Sequence, residues 1–197
     1  METSQITQDN AADACIVCKT LISEKLILTN LSFLICMNCL ASDNYSEIDK
    51  INEKILLGNA EAQKRRDILK AIGVTHILVV GKELKIHHPN DFTYEKIKIE
   101  DDEAENISKY FEKTFNFIEN AKGLVFVHCM AGVSRSATIV IAYLMRKEGK
   151  TYDEARKFVK GKRVYISPND GFVTQLKEFE EKLRNEKLEN EKAQNDE

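Results

Sequence analysis

Apolar residues fall along the chain with two periods. Over 105–122, Ile107, Phe111, Phe115 and Ile118 recur at helical spacing with Tyr110 and Phe117 beside them, which predicts an amphipathic helix. The segment 136–148 is apolar nearly all round (Ala137, Ile139, Val140, Ile141, Ala142, Leu144, Met145) and predicts a buried helix ended by Gly149. Thr151 and Glu154 form a capping box for a further helix. Ser167 and Pro168 read as the N-cap and first residue of the last helix, whose core face is Phe172, Leu176, Phe179 and Leu183. Beyond Arg184 the polar run 185–197 is expected to fray. An earlier helix is expected over 60–72, where Ala62, Ile68, Leu69 and Ile72 share a face and Gly73 stands at C′.

Strand signals lie between these helices. The run 75–80 (THILVV) is continuous and β-branched, as a strand covered on both faces would be, and 124–127 is short and wholly apolar. A third short apolar run covers 55–57. Leu84, Ile86 and His88 alternate with polar neighbours, as do Ile97 and Ile99, so two more strands are predicted. Strands alternating with helices imply an α/β domain with a mostly parallel central sheet flanked by helices.

Composition narrows the class. At 197 residues, 43% hydrophobic and 31% charged, the chain has room for one sizeable domain, or one domain and a small module. Two prolines and eight glycines exclude collagen-like and proline-rich architectures. A net charge of −3 excludes nucleic-acid binding driven by bulk charge, so no nucleic-acid partner is expected. The most apolar stretches, 26–37 and 137–145, fall short of the ~20 residues of a membrane span. Residues 1–10 contain no apolar signal core, Glu2 stands where myristoylation needs glycine, and no prenylation motif is present. The expectation is a soluble protein with no membrane partner, cytoplasmic and with the nucleus as a second location.

The cysteines split the chain. Cys15, Cys18, Cys36 and Cys39 make two C-x-x-C pairs, and Cys129 stands alone far downstream. Paired thiolates at this spacing read as one tetrahedral structural zinc site with no open position for catalysis. Ordinary thiols or two disulfides are the competing readings, and neither explains the pairing. The expected organisation is a disordered N-terminus over 1–12, a zinc-stapled module over 13–42, a linker within 41–50, a main α/β domain over 46–184 and a polar tail over 185–197. The small module is a candidate dock for a protein partner.

Chemistry concentrates in 127–138, VHCMAGVSRSAT. A buried strand runs into His128 and Cys129, a short loop follows, and Arg135 opens the buried helix. The cysteine therefore faces a helix N-terminus, where backbone N–H groups and the dipole favour a thiolate. The same N–H groups suit phosphate oxygens, and Arg135 adds a planar bidentate clamp.

His128, Cys129, Gly132 and Arg135 reproduce the H-C-x-x-G-x-x-R signature of cysteine-dependent protein tyrosine phosphatases, and HCMAGVSRSAT resembles the dual-specificity branch. Residues 55–59 (ILLGN), 73–78 and 164–180 (VYISPNDGFVTQLKEFE) resemble that branch in order and spacing, so the likeness covers about 46–182 and leaves out the cysteine pairs. The resemblance implies nucleophilic attack by Cys129 through a phosphocysteine, with Arg135 and the loop residues Met130, Ala131, Gly132, Val133 and Ser134 holding the phosphate. It places the general acid before the amphipathic helix, at Asp101, with the adjacent Asp102 as the alternative. It makes Ser136 a hydroxyl that helps the thiolate leave, His128 a loop hydrogen-bonding residue that tunes the thiolate, and Asn169 a brace for the loop. It implies no cofactor or metal for catalysis.

None of the five residues between Cys129 and Arg135 is basic. Members of this superfamily that act on inositol phospholipids tend to place lysines there, so the resemblance implies a phosphoprotein substrate, phosphorylated on tyrosine and on serine or threonine. A phosphosite-binding scaffold with weak turnover, or a lipid or RNA phosphatase, are the alternatives.

Overall fold

A computed structural model of the chain describes residues 48–195. Its elements run β1 (Ile48–Lys50), β2 (Ile55–Gly58), α1 (Arg66–Ala71), β3 (Val74–Val80), β4 (Thr93–Ile97), α2 (Phe111–Asn120), β5 (Leu124–His128), α3 (Arg135–Glu148), α4 (Tyr152–Lys162) and α5 (Asp170–Asn195), with 3-10 turns at Ala62–Lys64 and Ser108–Tyr110. The strands form one sheet in the order β1-β2-β5-β3-β4. Only β1 is antiparallel, against β2; the other pairings are parallel. The α/β class and the mostly parallel sheet expected from the sequence are both present.

The central strands are apolar on both sides because both sides are covered. Ile55, Leu57, Leu78, Val80, Val125 and Val127 face the core shared with α2, α3, α4 and α5. The alternate residues Leu56, Ile77, Val79 and Phe126 pack under α1, with Ile68, Leu69, Ile72, Leu84 and Phe92. Every residue of α3 from Arg135 to Met145 is buried, as its all-round apolar sequence requires. The register pairs Gly58 and Val79 with His128 on either side of the middle strand. Cys129 thus leaves the C-terminal end of β5 in the crevice between two flanking strands, the usual ligand position in a parallel α/β sheet.

Several elements differ from the sequence expectation. The 60–72 helix is broken: Asn59 Oδ1 accepts from the Ala62 N–H at 3.1 Å to cap a 3-10 turn, and Arg65 leaves helical geometry at ψ 61° before α1 begins. No strand forms over 84–88. There Leu84 is buried but Ile86 is 41% exposed, His88 has φ +55°, and the backbone is satisfied by side chains: Gln63 Nε2 donates to Lys85 O at 2.9 Å and Tyr94 Oη to His87 O. Ile97 ends β4 and Ile99 lies beyond it, bonded through its carbonyl to the Lys82 N–H. The amphipathic helix begins at Phe111, later than 105, after the 3-10 turn at Ser108–Tyr110, and the N–H groups of Ile107 and Ser108 are taken up by Gln175 of α5. The capping box of α4 is present in full. The last helix is capped by Asn169, two residues after Ser167; its Oδ1 accepts from the Phe172 N–H at 2.9 Å. Nor does the tail fray at 185, since α5 continues to Asn195. Strong helix formers fill that stretch, with i,i+4 pairs Lys182–Glu186 and Lys187–Glu191 along it.

Cys15, Cys18, Cys36 and Cys39 lie outside the described residues. Among the described residues, no cluster of three or more His, Cys, Asp or Glu is placed to hold a metal. No helix there is long and apolar enough to cross a membrane.

Candidate active site

The loop 129–134 joins the end of β5 to the start of α3, and its shape follows from what its carbonyls bond. Six consecutive carbonyls are engaged. Cys129 O lies 3.2 Å from His128 Nδ1. Met130 O accepts from the Ala60 N–H at 3.1 Å and Val133 O from the Ser167 N–H at 2.9 Å. Ala131 O and Gly132 O accept from Arg163, from Nη2 at 3.1 Å and Nε at 2.8 Å. Ser134 O accepts from the Thr138 N–H and from Thr138 Oγ1, both at 2.9 Å. With the carbonyls tied outward, the loop amides are left to turn in, and one does so: the Gly132 N–H donates to Cys129 Sγ at 3.2 Å. Such a nest of inward N–H groups at a helix N-terminus suits an oxyanion.

Gly132 is required on two grounds. Its φ is +69°, and a Cβ there would stand 2.4 Å from Gly58 O and 2.6 Å from Arg163 Nη2. Cys129 is 1% exposed, and Sγ also accepts from Ser136 Oγ at 3.1 Å. His128 is fully buried and stacks on Phe126. Burial brings its pKa down to about 4, so the ring is neutral. Because a carbonyl can only accept, the proton sits on Nδ1 and leaves Nε2 a lone pair, buried without a partner.

Arg135 is 5% exposed and its fork is held at one end. Nη1 donates to Glu83 Oε1 at 2.7 Å and to Ile99 O at 3.4 Å. Nε is buried without a hydrogen-bond partner and lies 3.7 Å from Asp101 Oδ2. The Glu83 carboxyl is pushed up by burial, but its own backbone N–H and the Arg135 contact outweigh that and hold it below the usual range.

The two candidate acids separate in space. Asp101 Oδ1 accepts from Ser134 Oγ at 2.6 Å and from Asn169 Nδ2 at 3.0 Å, so this carboxylate rests on the loop. Asp102 Oδ1 instead accepts from the Ala104 N–H at 2.8 Å, closing a local turn. Asn169 also joins the loop through its own N–H, 3.2 Å from Ser134 Oγ.

Three residues of this arrangement escape the sequence reading. Arg163 is 1% exposed, bonds two loop carbonyls, pairs with Asp49 at 2.7 Å and stacks under Tyr165. One signal points to it: Tyr152, Ala155 and Val159 form the buried stripe of α4, and Arg163 continues that spacing. Glu83 carries no local signal, and neither does Gln175, whose Oε1 accepts from the Ile107 and Ser108 N–H groups, because their partners are remote in sequence.

Residues 55–182 match the family model described as dual specificity phosphatase, catalytic domain. Dual specificity protein phosphatase 1 of Arabidopsis thaliana is 43% identical over 137 residues, 68% of this chain and 69% of that protein. Human dual specificity protein phosphatase 1 is 43% identical over 132 residues, 66% of this chain but 36% of the human protein. Among solved structures, human DUSP28 superposes with a TM-score of 0.68 at 30% identity, covering 70% of this chain and 95% of that one. The human tyrosine phosphatase-like serine/threonine/tyrosine-interacting protein gives 0.66 at 35% identity, covering 68% and 96%.

Proposed function

Because the chain belongs to the dual specificity phosphatase family and so hydrolyses phosphate monoesters on phosphoproteins, we propose that Cys129 is its nucleophile, Arg135 its phosphate clamp and Asp101 its general acid. The observation that carries this assignment is the outward anchoring of six loop carbonyls around a buried thiol that accepts from the Gly132 amide and from Ser136.

In the first step the Cys129 thiolate attacks phosphorus in line. The S–P bond forms as the ester P–O bond breaks, and Asp101 gives its proton to the leaving oxygen. The loop amides of Met130, Ala131, Gly132, Val133 and Ser134, with the Nε edge of Arg135, hold the charge on the equatorial oxygens. In the second step Asp101, now a carboxylate, takes a proton from water, which attacks phosphorus. The S–P bond breaks and inorganic phosphate leaves. Ser136 Oγ, 3.1 Å from Sγ, donates to the departing thiolate. His128 is neutral and bonded to the loop, so its part is support, not proton transfer. Asn169 braces loop and acid together. Dual-specificity turnover needs no cofactor, and no step here calls on one.

The test uses one peptide phosphorylated on both threonine and tyrosine. Wild-type protein should release phosphate from both sites and Cys129→Ser from neither, while the variant still binds the peptide. Release from tyrosine alone would overturn the dual specificity, and release by the variant would overturn the nucleophile. We also propose that 46–184 is the catalytic domain and 13–42 a module whose Cys15, Cys18, Cys36 and Cys39 hold one structural zinc and dock a protein partner. Well under one zinc per chain, in protein prepared without chelator, would refute the metal.

A further inference from the structure

The acid loop 101–108 has little internal support. Asp101, Asp102, Glu103 and Ala104 are exposed, and the backbone bonds within the loop are the Glu105 N–H to Asp102 O and the Ala104 N–H to the Asp102 side chain. Ile107 anchors its far end in the core and Ser134 holds Asp101; further contacts come from α5 and the residue before it. Gln175 Oε1 accepts from the N–H groups of Ile107 and Ser108 at 2.9 and 3.0 Å, and Nε2 donates to Glu105 O at 2.8 Å. One side chain thus fixes three backbone groups at the far end of the loop and satisfies donors that the start of a helix leaves open. One turn earlier on the same face of α5, Gly171 lets the chain approach: a Cβ there would stand 2.1 Å from Glu103 O. Just before α5, Asn169 donates to Asp101 through Nδ2 and to Ser134 Oγ through its own N–H. Asn169 and the first two turns of α5 therefore touch the acid loop at both ends, and Asn169 touches the phosphate loop as well.

We propose that Gln175 is a positioning residue for the general acid, and that with Gly171 it forms a clamp setting Asp101 over the phosphate loop before substrate arrives. The inference rests on Asp101 being the acid. Gln175 touches no reacting atom; it acts through 101–108. A side chain that merely capped α2 would affect folding, but its loss would not change how turnover depends on the leaving group. A clamp that aims an acid changes that dependence, because only poor leaving groups need the proton.

The experiment measures kcat/KM of the full chain over aryl phosphates whose phenols span a wide range of acidity. The Gln175→Leu variant should lose roughly tenfold or more on the least acidic phenol and stay within about threefold on nitrophenyl phosphate, a partial form of the Asp101→Asn defect. In the Asp101→Asn background Gln175→Leu should cost nothing further. The rate of Cys129 alkylation by iodoacetate should be unchanged, showing an intact phosphate loop. Gln175→Glu keeps the acceptor for two amides and loses the donor to Glu105 O, so it should fall between. Gly171→Ala raises helix propensity yet displaces Glu103, so it should show the same leaving-group bias, and it carries the test if Gln175→Leu does not fold. An equal loss on every substrate, losses additive with Asp101→Asn, or no loss would each overturn the clamp. A flat leaving-group profile for Asp101→Asn would instead overturn the acid assignment, and absence of wild-type turnover the phosphatase reading.

Discussion

Arg163 reaches the carbonyl of Gly132 with Nε at 2.8 Å and that of Ala131 with Nη2 at 3.1 Å, while Nη1 pairs with Asp49 at 2.7 Å. One guanidinium thus bonds two consecutive loop carbonyls and a residue of the sheet's edge strand. Its rigid fork matters, since a lysine has no geometry for three partners in one plane. Arg163→Met should cost about 3 kcal/mol of stability, the low end for breaking a buried pair, because it leaves two loop carbonyls and the partly buried Asp49 carboxylate without their donor. Arg163→Lys should fold better yet still lose kcat/KM and slow Cys129 alkylation, because the loop amides lose their fixed direction. Urea unfolding and iodoacetate kinetics, measured on both variants, check this. Wild-type alkylation in Arg163→Lys would show that the contact serves folding alone.

Glu83 makes a similar point for the clamp. It holds Nη1 of Arg135 at 2.7 Å, which fixes the rotation of the fork and leaves the Nε edge for phosphate. Glu83→Gln retains an oxygen that accepts from Nη1 and should keep most of the activity. Glu83→Ala removes the contact, and kcat/KM on a small aryl phosphate should fall by roughly tenfold as the guanidinium loses its alignment. Steady-state kinetics on the pair decide it: equal rates for the two variants would mean that the carboxylate does not orient the arginine.

How much of this was legible in the sequence follows from distance along the chain. Cys129, Gly132, Arg135 and Ser136 lie within one turn and a loop, so their spacing is fixed by local geometry and reads directly. The central strands β2, β3 and β5 read as apolar runs because burial on both faces removes polar residues, whereas the edge strands IDK and TYEKI carry no such run. The proposed acid Asp101 was reachable only by counting back from the helix it precedes, and the proposal of it over Asp102 turns on which carboxylate meets Ser134 and Asn169, a tertiary fact. Glu83 meets Arg135 across 52 residues and Gln175 meets Ser108 across 67, and no periodicity reports such pairs. The 84–88 alternation misled because Lys96 Nζ and Gln63 take up that segment's carbonyls, so it is satisfied without a strand partner.

The separation of the two aspartates makes a sharp comparison. Asp101→Asn should lose roughly 10²–10⁴ in kcat on phenyl phosphate, the usual range for a general acid, with a much smaller loss on nitrophenyl phosphate. Asp102→Asn keeps a side-chain oxygen to accept from the Ala104 N–H and should leave both rates within about twofold, since that turn needs no charge. Rates of the two variants on the two substrates are sufficient. A larger loss in Asp102→Asn would reverse the assignment.

His128 gives the fold a pH dependence whose direction can be worked out. Burial lowers its pKa from 6.5 to about 4 in the folded state. Between those values the unfolded chain binds a proton that the folded chain does not, so stability rises with pH across the window and is lost as pH falls through it. Above about pH 6.5 both states are neutral at this residue and it contributes no slope. Carried through the whole window the loss is about 3 kcal/mol, a large part of a domain's margin. His128→Asn cannot take up the proton, so between pH 7 and pH 5 its unfolding free energy should fall less steeply than that of the wild type. Urea titrations of both proteins at these pH values measure the difference. Parallel slopes would mean that the ring titrates near its ordinary value in the folded protein, and that Nδ1 does not hold the Cys129 carbonyl as a neutral donor.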